Sequence, residues 1–181
     1  MTPTRIDAIA LLKADHRKVE GLFEDFEAAR KPERKQALAS QICMELSLHA
    51  MIEEEIFYPA CKGEVDDRLL EEAYVEHDGA KILIAEIEAS SPGQEFFDAK
   101  VKVLSEQIKH HVKEEEKRAE GLFAQARTAG LPVADLGDRM DARKKLLMAK
   151  FKKDGTPAPE TRSFSGLQLK AGQPVDAGQV A

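Results

Sequence analysis

Four histidines and two glutamates recur in this chain at spacings that suit metal ligation. His16 is followed 33 positions later by His49, which opens His49-Ala50-Met51-Ile52-Glu53; His77 is followed 34 positions later by His111, which opens His111-Val112-Lys113-Glu114-Glu115. Each half thus carries a histidine and then, one helical hairpin on, His-x-x-x-Glu. A spacing of four stacks an imidazole and a carboxylate on one helical face. Four such helices packed together bring four imidazoles and two carboxylates to one point, the donor set of a dinuclear metal site. His16, His49, Glu53, His77, His111 and Glu115 are the candidate ligands, and no separate catalytic group stands out.

The elements that must position these residues are legible as apolar stripes with steps of three or four. The first helix is expected to start near Thr4, where Thr4-Arg5-Ile6-Asp7 resembles a capping box with Asp in place of Glu. Its stripe is Ile9, Leu12, His16, Val19, Phe23 and Phe26, and it stops near Arg30. The second opens at Pro32, runs through Leu38, Ile42, Leu46, His49, Glu53 and Ile56, and ends at Pro59. Asp66 or Asp67 caps the third, whose stripe is Leu70, Ala73, His77, Ala80, Ile84 and Ile87. After a break at Ser90-Ser91-Pro92-Gly93, a long fourth helix carries Val101, Leu104, Ile108, His111, Glu115, Ala119 and Leu122 and ends near Gly130. A fifth, Ala134 to Phe151, shows Leu136, Met140, Leu147 and Phe151.

This pattern predicts an all-α fold: an antiparallel up-down-up-down four-helix bundle with a short fifth C-terminal helix and a mobile tail. Residues 1–130 form the bundle, 131–151 the added helix and 152–181 the tail. The tail is rich in Gly and Pro, with Phe164, Leu167 and Leu169 as its one candidate contact. Helices of about 25 residues are roughly 40 Å long. His16 and His77 lie early in their helices, His49 and His111 late in theirs, so antiparallel neighbours bring all four to one level.

Phase separates core carboxylates from surface ones. Glu53 and Glu115 sit on the apolar line, where a carboxylate is costly unless paired or bound to a cation. Their neighbours Glu54, Glu55, Glu114 and Glu116 read as a solvated face. His110 with Glu114 repeats the His-x-x-x-Glu spacing, but it shares its face with Val103 and Gln107, a weaker stripe than 104-108-111. The register therefore favours His111 with Glu115 and leaves His110 on the surface or beside the site.

Net charge of −6 argues against nucleic acid as a partner, because phosphate binding needs a basic surface. No run of about 18 apolar residues exists to span a bilayer, and Met1 to Asp7 lacks the apolar run of a secretory signal. A cytoplasmic protein is expected. Cys43 and Cys61 have no metal or redox spacing. Cys43 reads as a core or boundary residue and Cys61 as a helix-end thiol, without a disulfide between them.

Over residues 5–125 the chain resembles the bacterial hemerythrin-like proteins of the HHE cation-binding type. The match rests on Asp15-His16, on His49-Ala50-Met51-Ile52-Glu53-Glu54-Glu55-Ile56-Phe57-Tyr58-Pro59, on Glu76-His77, and on His110-His111-Val112-Lys113-Glu114-Glu115-Glu116. The resemblance implies two iron ions in a non-haem, oxo- or hydroxo-bridged centre. His16, His49, His77 and His111 would be terminal ligands, and Glu53 and Glu115 bridges. The oxygen-carrying members have a further histidine where this chain has Ala73, and a final His-x-x-x-x-Asp where it has His-x-x-x-Glu. One iron is then short of an imidazole, with solvent, Tyr74 or Glu20 to fill the gap.

Three function classes follow. The first is a diiron protein that binds or senses dioxygen, redox state or iron. The second is an enzyme that consumes peroxide, nitric oxide or dioxygen at an open position. The third is a structural bundle whose histidines hold zinc or nothing; zinc's preference for closed, thiolate-rich sites disfavours it. The expected partner is a small diatomic or peroxide ligand.

Overall fold

The computed structural model describes residues 5–165, in which all regular structure is helical. Helix α1 spans Ala8–Ala28 and α2 spans Pro32–Ile52; a π-helical turn, Glu53–Phe57, then leads into α3, Tyr58–Cys61. They are followed by α4 (Asp67–Glu88), α5 (Phe97–Glu115), α6 (Leu122–Thr128) and α7 (Val133–Asp154). Helix α1 packs on α2, α2 on α4, α4 on α5 and α5 back on α1, which closes an antiparallel four-helix ring.

Every residue of the stripes in α1, α2 and α4 is buried. Asp7, not Thr4, caps α1: its carboxylate accepts from the Ala10 amide at 3.0 Å and is held by Arg127. Asp66 caps α4 as expected, accepting from the Arg68 amide. Helix α7 lays Leu136, Met140, Leu147 and Phe151 against the bundle, in one apolar cluster with Leu12 and Ile52.

Three elements depart from the expectation. Helix α2 does not stop at Pro59 but passes through the π turn, where the Tyr58 amide donates to the Glu53 carbonyl five residues back. Proline has no N–H to offer an α-helical partner, and the wider turn absorbs that loss. The long fourth helix is in fact two. Helix α5 ends at Glu115, Ala119 is exposed, and the chain folds back at Gly121. A Cβ at Gly121 would lie 2.6 Å from the Glu115 carbonyl oxygen, so only glycine allows this return. Part of the segment expected to be a mobile tail is also placed. Arg162 and Ser163 dock on the buried Asp78 of α4, while Leu167 and Leu169 lie outside the described residues.

Two apolar clusters fill the bundle. One holds Phe23, Phe26, Leu38, Ile84 and Leu104; the other holds Leu12, Ile52, Phe57, Leu70, Leu122 and Phe123. Buried charged and polar side chains, His16, His49, Glu53, His77, His111 and Glu115 among them, interrupt that apolar packing.

Candidate metal centre

The six residues singled out by spacing converge. His16 and His49 meet at Nε2 to Nε2 with 3.1 Å between them, and His77 and His111 do the same at 3.3 Å. In both pairs the ring centroids are 4.8 Å apart, with the planes inclined at 59° and 56°. The sequence repeat is thus a spatial one, with two equivalent imidazole pairs. Glu53 Oε2 lies 3.0 Å from His49 Nε2 and 3.4 Å from His77 Nε2. Glu115 Oε2 lies 3.4 Å from His16 Nε2 and 3.5 Å from His111 Nε2. Each carboxylate therefore faces one imidazole of each pair. Two sets of donor atoms result: His16, His49, Glu53 and Glu115 in one, and Glu53, His77 and His111 in the other.

The opposite edges of the rings explain how the imidazoles are aimed. His16 Nδ1 lies 2.8 Å from Glu116 Oε1, His77 Nδ1 3.0 Å from Glu54 Oε1, and His111 Nδ1 2.8 Å from Glu76 Oε2. An ionised carboxylate only accepts, so each Nδ1 carries the proton and donates it. That leaves the Nε2 lone pairs pointing inward, the tautomer that metal ligation requires. His49 Nδ1 faces Asp15 Oδ2 at 3.6 Å, near enough for charge attraction and too long for a hydrogen bond. Cations stand behind these carboxylates: Arg17 at Glu116, Lys81 and Arg162 at Glu54, and Lys144 at Asp15.

This outer layer corrects the reading of the glutamate runs. Glu54 is buried and Glu116 half-buried, each bonded to a ligand-type histidine, while Glu55 pairs with Arg143 at the surface. His110 is exposed and lies 3.3 Å from Glu76, so it touches the site only through that carboxylate.

Tyr58 was not singled out by the spacing, and it sits at the centre. Its hydroxyl donates to Glu115 Oε1 at 3.0 Å and lies 3.4 Å from Glu53 Oε2 and 3.2 Å from His77 Nε2. Neither Tyr74 nor Glu20 takes this place. Tyr74 packs edge-on against the Tyr58 ring at 5.2 Å, and Glu20 pairs with Arg17. In an unbroken α-helix Tyr58 would point roughly 140° away from Glu53. The π turn brings the two to one side. Pro59 is the sequence signal that could have exposed this, because an α-helical run cannot pass it undisturbed.

Without a cation the layer is over-supplied with acceptors. Two imidazole lone pairs facing at 3.1–3.3 Å repel unless a proton or a cation lies between them. Burial disfavours imidazolium, yet the Glu53 and Asp15 carboxylates hold His49 up to about 10, and Glu53 with Glu54 holds His77 up to about 9. A proton on His49 in one pair and on His77 in the other thus stands where a cation would sit. Burial likewise opposes ionisation of Glu53, but His49 and His77 keep its carboxyl well below the usual range. Burial together with Glu115 and Glu53 pushes the Tyr58 phenol well above its ordinary value, so it stays protonated. Even so, Glu53 Oε1 and Glu115 Oε2 are buried with no hydrogen-bond partner among the described residues. Two buried carboxylates, each with an unsatisfied oxygen, beside facing imidazoles are the donor set of a cation site. Cys43 and Cys61 are buried, free and pushed up to about 12 by burial, which leaves the thiols inert.

A family profile described as hemerythrin HHE cation binding domain matches residues 7–123. A DNA nickase from Nostoc sp. (strain PCC 7120) is 32% identical over 106 residues, which make up 59% of this chain and 30% of that protein. The chain therefore spans less than a third of that relative. Among solved structures, a hemerythrin HHE cation binding domain-containing protein from Mycobacterium kansasii superposes with a TM-score of 0.68. That match covers 83% of this chain and 95% of the other at 22% identity, a likeness of fold. With the profile covering most of the bundle and its histidines and glutamates meeting in one buried layer, the chain belongs to the hemerythrin HHE cation-binding family.

Proposed function

We propose that the protein holds two iron ions on His16, His49, Glu53, His77, His111 and Glu115, and binds or senses dioxygen, redox state or iron through them. The observation that carries this reading is a pair of buried glutamates, each with one oxygen lacking a hydrogen-bond partner among the described residues, set against two imidazole pairs in one layer. Imidazole and carboxylate are donors that iron takes, and two glutamates set between two imidazole pairs suit a pair of ions. Iron held there would supply one-electron redox chemistry and exchangeable positions for a small ligand. The chain's own residues do the rest. Asp15, Glu54, Glu76 and Glu116 orient the rings, and Phe57 and Phe123 keep bulk water from one side. Phe123 lies parallel to the His16 ring at 5.9 Å. A cytoplasmic setting accords with two free buried thiols, and no described helix is long and apolar enough to cross a membrane.

Iron analysis of protein purified after growth with ample iron tests this reading. About two irons per chain are expected, and full occupancy by zinc would contradict it. Reduced, anaerobic protein is then mixed with dioxygen, peroxide and nitric oxide in turn. A stable adduct or a single oxidation supports binding or sensing.

A second reading, an enzyme consuming one of these oxidants, is favoured by Tyr58. Its hydroxyl holds a proton within hydrogen-bond reach of both shared carboxylates. Repeated consumption of oxidant, slowed in Tyr58→Phe, would decide for turnover. Strand scission, suggested by the name of the cyanobacterial relative, is not carried over to this acidic chain. Supercoiled plasmid is expected to survive incubation with the iron-loaded protein.

A further inference from the structure

Beside the four imidazoles lies a cavity of about 450 Å³ that a diatomic ligand does not account for. Its walls include Val19, Leu46, Ile84 and Ile108, and its roof is the segment from Pro157 to Arg162. The roof is latched at one end. The amides of Arg162 and Ser163 and the Ser163 hydroxyl all donate to Asp78 Oδ2, at 2.7, 2.5 and 2.7 Å, and Arg162 Nε donates to Glu54 Oε2 at 2.8 Å. At its other end the chain leaves α7 through Gly155, at φ 83°. The chain's own segment thus covers part of the space over the imidazole layer.

We propose that this cavity binds a neutral organic molecule with an apolar body and one hydroxyl, the class of alcohols and phenols. Size is the first argument. An apolar cavity of about 150 Å³ accommodates benzene, and a water molecule takes up about 30 Å³, so dioxygen or peroxide leaves most of this space unfilled. Charge is the second. Lys81 is paired with Glu54 and Asp78, and Arg162 with Glu54, so these cations are already matched inside; Lys150 and Glu160 at the mouth are exposed. A buried ionic ligand would find no free counterion among them. The wall also carries a polar notch. Asp15 and His49 line the cavity, and Asp15 Oδ2 and His49 Nδ1, 3.6 Å apart, have no hydrogen-bond partner among the described residues; one hydroxyl donating to the carboxylate would satisfy it. Aliphatic walls with a few convergent polar atoms are the usual make-up of a small-molecule site. The cavity is a feature of the helices and roof, independent of which metal the imidazoles hold.

The probe is 2-naphthol, titrated by calorimetry and fluorescence into the full chain, metal-free and metal-loaded, with metal content measured in parallel. Saturable one-to-one binding is expected in both forms, with naphthalene-2-sulfonate at least tenfold weaker to the metal-free protein. Ala80→Phe and Ile84→Phe add bulk to the cavity wall and should each weaken 2-naphthol at least tenfold while metal content stays unchanged. No saturable binding to the unaltered protein overturns the proposal, as does undiminished binding in either variant that keeps its helical circular dichroism. Loss of metal with 2-naphthol binding intact would count against the iron reading alone.

Discussion

Replacing Tyr58 by Phe removes one hydroxyl from the centre of the bundle and leaves the ring among Phe57, Tyr74 and His77. In the metal-free protein that hydroxyl is the donor to Glu115 Oε1 at 3.0 Å, and Glu115 Oε2 has no hydrogen-bond partner among the described residues. The substitution therefore strips a buried carboxylate of that hydrogen bond. Bonds to charged groups contribute about 1.5–3 kcal/mol, so a loss near 2 kcal/mol is expected. For a chain of this length that lowers Tm by about 4–8 °C. With iron bound the glutamates are satisfied by cations, and the loss should shrink to less than half. Calorimetric melts of both proteins, in chelator and after iron loading, read the two quantities. An unchanged Tm in verified metal-free protein would mean that the hydroxyl does not stabilise the buried carboxylate. An equal drop in both states would mean that it acts through packing alone.

Glu54→Ala should weaken iron binding about 10–100-fold in a chelator competition, because Glu54 orients His77, while Glu55→Ala should leave it unchanged. Metal analysis of His111→Ala should show loss of iron, and His110→Ala should retain both ions; the reverse result would shift the register by one residue. His49 and His77, held at about 10 and about 9, each carry a proton at neutral pH that must leave before Nε2 can ligate. Metal affinity should therefore rise with pH, by about a hundredfold per unit between pH 7 and 9 where both protons are released. A flat profile would show the imidazoles already neutral. Gly121→Ala should destabilise the fold by about 1–3 kcal/mol in denaturant melts, because its Cβ would press on the Glu115 and Glu114 carbonyls.

The outcomes at Glu53 and Glu54 show where reading the chain by phase succeeds and where it stops. Glu53 continues a stripe of strictly helical steps, so its burial is a matter of angle around one axis and visible in one dimension. Glu54 lies off that stripe, and its burial depends on α4 lying alongside to present His77 and Lys81. Glu116 is a similar case, set by Arg17 and His16 on α1. Tyr58 was hidden for another reason. A single π turn changes the angular step, and an assumption of constant pitch then aims the residue at the wrong face.

Spacing and apolar period by themselves determined four antiparallel helices, the level at which they meet, and the six side chains that share that level. These are short-range properties, because helix pitch converts position in the chain directly into direction in space. Tertiary structure alone decided what surrounds those six: the carboxylates behind each ring and the roof from Pro157 to Arg162. Each of those depends on contacts between residues up to about a hundred positions apart, and no local periodicity encodes which distant segment a helix face will meet.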